Sequence, residues 1–535
     1  MGYTSITCLL LILLALLFFT NDIRLKKRLP PGPPPLPLLG NKHQIPKNHP
    51  WLKFQQWAHA YGPIYTIWLG RRPTIILSDP TIASELLEKR SAKYSTRPRF
   101  VTMGEIYWDM ASILVQPYGK EWLVRRRLLH SALTARALEN YKALQEAEAA
   151  RLCFQLLKSP ESFEGLFDRL TAGIVFAIAY GHRVDDMRAP VVRQRLEFMH
   201  YSSSLNVPGA YLVESFPVLK YLPDWIAPWK AEIKRRGRLE AEANMRLVRV
   251  VEVDIESEPD EAVFNSLTKQ LLENRKKDPA SFPLSERDFS YIPASLFGAG
   301  ADTTASTLCS AMLAIATNPS VLETAHAELD SVVQDRLPVF TDLPSLPYIR
   351  ALVKEVLRWR PVAVLGGTPH ASSEDDTYNG YFIPKGTVIL GNSWAINLNE
   401  EYYANANEFN PLRFLDVDPQ SLPYLSEKQI EHGKRSHPSK SGHSSFGWGR
   451  RICPGAELAS NTLLITLSRL LWAFDIKPVE GKVYDTLDYT NGFNIRPRGL
   501  MVDIRVRSER HREVVGREFD AANVFLERLS PFDES

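Results

Sequence analysis

The chain has 535 residues, 44% hydrophobic and 23% charged, a globular balance that excludes both a disordered polymer and a polytopic membrane protein. Its length exceeds one ordinary hydrophobic core, which predicts two subdomains or one large fold. A formal net charge of +3 gives no field for nucleic acid, and the four cysteines (Cys8, Cys153, Cys309, Cys453) are scattered without zinc spacing or a disulfide framework.

Residues 1–20 carry no charge, and 9–19 are nearly all aliphatic or aromatic. A bilayer takes about 20 apolar residues. No charged residue precedes the run and no small-residue cleavage site follows it. Arg24, Lys26, Lys27 and Arg28 do follow it, so the stretch reads as a retained single anchor with these cations on the cytosolic side. Residues 21–45 form a basic, proline-rich hinge, in which the run around Pro30–Pro37 makes a stiff spacer. A folded domain is expected over 46–535.

Within it, 51–60 predicts a helix, 64–69 and 74–77 a β-hairpin, and 81–90 a helix behind an Asp79-Pro80 cap. The polar stretch 95–117 carries Phe100, Met103, Ile106, Tyr107 and Trp108. It reads equally as a loop closing over an apolar ligand or as a packed surface loop. In the helix opening at Tyr118, Trp122 and Arg126 stand four apart on one face. Their N–H groups form a donor pair suited to a carboxylate, with a solvated basic face as the alternative. Helical patterns fill 134–273, with breaks near Gly181, Pro208, Pro217, Pro223 and Pro228. The apolar, proline-rich stretch 203–229 reads as an access lid or a second membrane contact, and Lys276-Lys277 as a surface loop.

Residues 293–316 predict one long core helix with an odd centre, Phe297-Gly298-Ala299-Gly300-Ala301-Asp302-Thr303-Thr304. Glycine costs about 1 kcal/mol there against alanine, and a buried Asp costs more unless paired or wet. Small residues admit something flat, or another helix; neither explains Asp302. In the amphipathic helix 347–359, Glu355 and Arg358 are three apart and can pair, and Arg413 supplies a third charge. A turn and short strand follow over 362–370, a further hairpin over 381–389, and a solvated insertion over 429–445. Cys453 lies in the loop Phe446-Gly447-Trp448-Gly449-Arg450-Arg451-Ile452-Cys453-Pro454-Gly455, before a long helix over 456–474. Glycines there allow close backbone approach, and backbone donors and arginine favour a thiolate. Alone, Cys453 reads as a small buried residue in a turn. Residues 489–494 predict a turn able to dip into a pocket, and the tail from Ser508 a peripheral charged segment.

Together these stretches resemble the cytochrome P-450 family of haem-thiolate monooxygenases over nearly the whole chain. The cysteine loop F-x-x-G-x-R-x-C-x-G is matched by Phe446, Gly449, Arg451, Cys453 and Gly455. E-x-x-R is matched by Glu355 and Arg358, A/G-G-x-D/E-T-T/S by Ala299, Gly300, Asp302, Thr303 and Thr304, and W-x-x-x-R by Trp122 and Arg126. One slot departs: Leu412 stands where the family usually carries an acid before Arg413.

The resemblance implies a mainly α fold with a smaller β-rich portion, a triangular prism behind an N-terminal transmembrane helix. It implies haem b (iron protoporphyrin IX) with Cys453 as axial iron ligand, and its propionates held by Trp122, Arg126, His370 and Arg451. Thr303 and Asp302 would handle oxygen and protons, with Glu355, Arg358 and Arg413 as a structural triad. Electrons would come from NADPH through an NADPH–haemoprotein reductase, with cytochrome b5 as a second donor, docking near Arg125, Arg127 and Arg450. The expected location is the endoplasmic reticulum membrane, single-pass, with a cytosolic catalytic domain. The substrate would be a hydrophobic small molecule, in the manner of fungal secondary metabolism. Rival readings are a haem-thiolate isomerase, dehydratase or peroxygenase, and a non-catalytic haem sensor; Asp302-Thr303 argues against the first group.

Overall fold

Most helices begin where the chain supplies an N1 proline or a capping oxygen. In the computed structural model, residues 24–206, 211–257, 264–425 and 433–532 are described; the expected anchor over 1–20 lies outside them. Pro50 opens α1 (Pro50–Tyr61), which stops at Gly62. α2 is Lys120–Ser131, and Thr134 caps α3 (Ala135–Lys158). α4 (Phe163–Tyr180) ends on left-handed Gly181. Prolines open α5 (Pro190–Leu205) and α6 (Pro228–Ser257). Ser266 caps α7 (Leu267–Lys277), and Ser285 caps α8 (Glu286–Thr317). Prolines again open α9 (Pro319–Val332) and α10 (Pro347–Trp359). α11 is Ala456–Ala473 and α12 Glu509–Leu526.

The β portion is small. β1 (Ile64–Leu69), β2 (Arg72–Leu77), β6 (Val388–Gly391) and β3 (His370–Ala371) form one sheet in that order, with β2 and β6 parallel. β4 (Asp376–Tyr378) pairs with β5 (Tyr381–Ile383), and β7 (Phe474–Pro478) with β8 (Val502–Val506). The fold is thus mainly α with small sheets. Among the described residues no single helix is long and apolar enough to cross a membrane.

α8 runs through the main core, and its most extensive partner is α4. Gly300 explains that closeness: a Cβ there would stand 2.5 Å from Val175 Cγ1. It is a helix-packing glycine. Gly298 is different, since a Cβ there would meet no protein atom within 4 Å.

Several expectations need correction. α8 starts seven residues before Pro293, because Ser285 Oγ accepts from Asp288 N and the proline is accommodated inside the helix. Segment 95–117 is not simply a loop. Val101–Tyr107 makes a wide helical turn, with Glu214 accepting from the Thr102 N–H and hydroxyl at 2.7 Å each. The strands over 381–389 do not pair with each other: Tyr381–Ile383 pairs back to β4, and Val388–Gly391 joins β2. Lys276 and Lys277 end α7 rather than lie in a loop.

The charged tail is a helix docked on α3. Phe519 stacks on Phe154 with centroids 4.1 Å apart, and Val514, Val515, Leu526 and Leu529 are buried. Its charges face solvent while a helical stripe of apolar residues faces the core. The insertion is only partly described, 426–432 falling outside the described residues. From 433 onward it is less solvated than expected: His443 and Ser444 are buried and the Tyr403 hydroxyl donates to the Gly442 carbonyl.

Candidate functional site

Cys453 is placed by its loop's backbone. Its N–H donates to the Phe446 carbonyl at 2.8 Å. Gly447 and Gly449 take φ of 76° and 59°, and a Cβ on Gly449 would stand 2.1 Å from the Leu87 carbonyl oxygen, so only glycine fits there. Gly455, by contrast, has an ordinary φ of −92° as the residue before α11. Burial pushes the Cys453 thiol up, opposed by the Gly455 N–H and the Arg126 charge. The expected free thiolate is therefore not favoured by the protein alone; a metal ion bound at the sulfur displaces the proton. Cys153 and Cys309 are fully buried; Cys453 keeps accessible surface although it lies deep in the protein.

Three arginines converge beside it. Arg126 Nη2 donates to the Ile452 carbonyl at 2.8 Å. Arg451 donates to the carbonyls of Ser95 and Gln116, both at 2.7 Å, with its guanidinium 4.2 Å from the Trp122 ring centre. Arg97, absent from the sequence motifs, donates to the carbonyls of Thr368 and Pro369 at 2.6 and 2.9 Å. Among the described residues none of the three has a carboxylate within ion-pair distance. Burial pushes Arg451 down to about 8, with Arg97 and Arg126 adding to the effect, and burial alone pushes Arg97 down to about 9. Cations so crowded and desolvated call for an anion.

His370 is anchored through one ring nitrogen. Its Nδ1 lies 2.8 Å from the Tyr94 carbonyl, an acceptor only, so Nδ1 carries the proton and Nε2 offers a lone pair. Burial, then the Arg97 charge, pushes the ring down to about 3. In this tautomer the ring is neutral, and Arg97 stands beside it as a cation. Sequence reading passed over Arg97 because its Ser95-Thr96-Arg97-Pro98 setting lies in a segment read as a loop.

On α8, Ala299 is exposed although Phe297 and Ala301 are buried on the same core helix, so interior space lies against this turn. Thr303 Oγ1 donates back to the Ala299 carbonyl at 2.8 Å, and the helix stays continuous. Asp302 keeps a side chain 37% exposed and accepts from Asn494 Nδ2 at 2.8 Å. α8 touches both α2, which carries Trp122 and Arg126, and α11, which follows Cys453.

The charged triad forms as expected. Arg358 meets Glu355 through two bonds of 2.6 and 2.7 Å, both side chains 0% exposed. Arg413 Nε reaches Glu355 at 3.5 Å. Leu412 is buried beside it, so the slot that departs from the family pattern is filled by apolar packing. Of the arginines expected to meet a reductase, Arg125 is removed: it is 3% exposed and paired with Asp288 at 2.7 Å. Arg450 is exposed.

A thiol that keeps accessible surface, three acid-free arginines and open space at Gly298 fit a flat group with one axial thiolate and two carboxylates, which is haem. The sequence profile of the cytochrome P450 family matches residues 30–504. The chain is 38% identical over 488 residues to cytochrome P450 monooxygenase 58 of Postia placenta, covering 88% of this chain and 87% of the relative. It is 33% identical over 513 residues to cytochrome P450 monooxygenase FrzL of Cladobotryum sp, covering 94% and 92%, and 33% over 507 residues to cytochrome P450 monooxygenase aneD of Aspergillus aculeatus, covering 93% and 92%. Motif order, site geometry and likeness over almost the full length agree, and the chain belongs to the cytochrome P450 family of haem-thiolate monooxygenases.

Proposed function

We propose that this chain is a membrane-attached monooxygenase that inserts one atom of dioxygen into a hydrophobic small molecule of secondary metabolism, using electrons from NADPH delivered by a separate reductase. The observation that carries the reading is Cys453 beside three acid-free arginines, with Asp302 and Thr303 accessible in the middle of a core helix. Haem bound here supplies the oxygen chemistry.

The chain's own residues supply the rest. Cys453 Sγ would hold the haem iron, and its loop fixes the sulfur's position through the Phe446 carbonyl. Arg97, Arg126 and Arg451 would neutralise the two propionates through charge-assisted N–H donors, and the Trp122 ring orients Arg451. His370 contributes shape and an acceptor. On the α8 side, the Thr303 hydroxyl can turn from the Ala299 carbonyl toward the cavity, and Asp302 holds or passes a proton beside it. Gly298 leaves room for an apolar substrate, whereas Gly366 packs on the Gly391 carbonyl and Phe493 lies 3.7 Å from where a Gly367 Cβ would stand.

An apolar face supports attachment to a membrane. Leu212, Val218, Tyr221 and Trp225 are 70–81% exposed. Leu36, Leu38 and Leu39 are also exposed, and Gly70 sits between Ser215 and the Leu38 carbonyl, placing the two stretches side by side. Such a patch exceeds scattered surface apolars. The uncharged run over 1–20 precedes Arg24 in the sequence, and in this reading it would be the anchor, with the patch as a second contact. The endoplasmic reticulum is the membrane this reading expects, with the domain on the cytosolic side and exposed Arg450 available to a reductase.

The test is turnover of the purified holoenzyme with NADPH and a microsomal reductase under isotopically labelled dioxygen, across a panel of polyketides, terpenoids and aromatics that shift its spin state. One labelled oxygen in product supports the reading. A rearranged product without label would make the enzyme an isomerase, and peroxide-driven turnover alone a peroxygenase. Cys453→Ala should lose the thiolate-type carbon monoxide difference spectrum; keeping it would remove Cys453 as ligand.

A further inference from the structure

The loop over 489–497 docks along one stripe of α8. Tyr489 Oη donates to Ser310 Oγ at 3.2 Å, Arg496 Nε to Ser306 Oγ at 3.3 Å, and Asn494 Nδ2 to Asp302 Oδ2 at 2.8 Å. Residues 302, 306 and 310 are spaced by four and share a helix face. The loop is braced internally, Thr490 N donating to the Arg496 carbonyl at 2.8 Å and Arg496 N to Thr490 Oγ1 at 3.0 Å. It is braced externally too, His49 N donating to Asn491 Oδ1 at 2.9 Å. It is a rigid arm laid against the helix.

Its contacts hold both oxygens of Asp302. Oδ2 accepts from Asn494, while Oδ1 lies 3.4 Å from Ser306 Oγ and 3.5 Å from Arg496 Nη2. Arg496 is itself fixed by Asp168 of α4 through two bonds of 3.0 and 2.5 Å. Burial pulls its guanidinium down, but the Asp168 pair holds it above the ordinary range, so its charge is permanent. Asn494 gives a second, independent sign. Its Oδ1 is buried with no partner, an arrangement packing does not favour, and turning the amide over would set Oδ1 against a carboxylate. The amide is there for Asp302.

We propose that Asn494 and Arg496 are positioning residues that fix the Asp302 carboxylate in the orientation from which it handles protons beside Thr303. The inference rests on the reading of Asp302 as the acid of the site. Without the arm, a carboxylate on two freely turning bonds at the edge of a cavity populates several rotamers. With it, both oxygens are assigned. The helix supplies the acid, and a loop nearly two hundred residues later sets its direction.

The test uses the reduced holoenzyme with carbon monoxide, whose infrared stretch reports the polar groups facing the ligand. Wild type should give one narrow band, and Asp302→Ala a shifted one. Asn494→Ala should broaden or split the wild-type band, and in an Asp302→Ala background should change nothing further. Arg496→Met should do the same; Arg496→Lys, which keeps the charge if Met fails to fold, should restore most of the single band. With reductase and NADPH, the peroxide share of electrons should rise severalfold in Asn494→Ala. A band that moves in Asp302→Ala but stays as in wild type in both Asn494→Ala and Arg496→Met overturns the positioning role. A band unmoved by Asp302→Ala overturns the placement of that acid at the site, and this inference with it.

Discussion

Replacing Glu355 by Gln changes one charge and almost no volume, in the most buried ionic cluster of the protein. Glu355 Oε2 accepts from Arg358 Nε at 2.6 Å, and Oε1 accepts from Arg358 Nη2 at 2.7 Å and from Asn410 N at 2.8 Å. Arg413 approaches the same Oε1. Arg358 also donates to the carbonyls of Asn397, Ala406 and Glu408 at 2.8–3.1 Å, so it cannot swing out to water. The variant leaves two guanidiniums at 0% and 5% side-chain exposure without their carboxylate. Removing one partner of a buried pair costs about 3–5 kcal/mol, and two stranded cations put this case at the upper end. Against a typical stability of about 5–15 kcal/mol, that is a loss of nearly four decades in the folding equilibrium, at about 1.4 kcal/mol per decade. The urea midpoint of the holoenzyme should fall accordingly, the carbon monoxide band disappearing in the same transition. The exposed pair Arg505–Asp503 is the control, and Asp503→Asn should leave the midpoint within error. A Glu355→Gln midpoint shift worth less than about 1 kcal/mol would show that the triad is no more than a surface-type pair, and would refute the burial argument.

Haem retention should separate Arg97 from His370: Arg97→Leu removes a charge-assisted donor and should weaken haem binding about 10- to 100-fold by apoprotein titration, while His370→Asn should change it little. Equal losses would restore His370 as a donor. Truncation after Ser508 removes the buried Val514, Val515, Leu526 and Leu529, about 6–12 kcal/mol of apolar burial as an upper estimate; the shortened chain should not accumulate as holoenzyme, and normal yield would contradict the docked helix. Acid should destabilise the fold through three rings, because burial pushes His437 down to about 4 and His370 and His443 to about 3. The folded values lie below the unfolded imidazole value near 6.5, so the unfolded chain takes up the proton first. Stability is full above about 6.5 and falls as pH drops toward the folded values, by up to about 1.4 kcal/mol per pH unit per ring. His443→Asn should flatten that slope in urea midpoints from pH 7 to 5, and an unchanged slope would assign the loss to other groups.

Much of the site was legible because it is written in contiguous residues. Cys453 with Arg451 and Gly449, Asp302 with Thr303, Glu355 with Arg358, and Trp122 with Arg126 each lie within one turn or loop, where spacing alone fixes which side chains share a face. Helix extents were legible for the same reason: α1, α2, α10 and α11 obey local caps, prolines and periodicity.

What sequence alone determined is therefore local: the thiolate loop, the acid–threonine turn, the E-x-x-R pair, and with them the chemistry of the family. Tertiary structure decided everything that depends on residues far apart in the chain. It brought Arg97 beside Arg451 and set His370 Nδ1 against the Tyr94 carbonyl. It moved β6 from a hairpin to a parallel partner of β2, since strand pairing is a non-local choice. It docked the charged tail on α3, and it laid Asn494 on Asp302 across 192 residues. Periodicity says which face of an element is apolar; only packing says what that face, or a polar group at its edge, will meet.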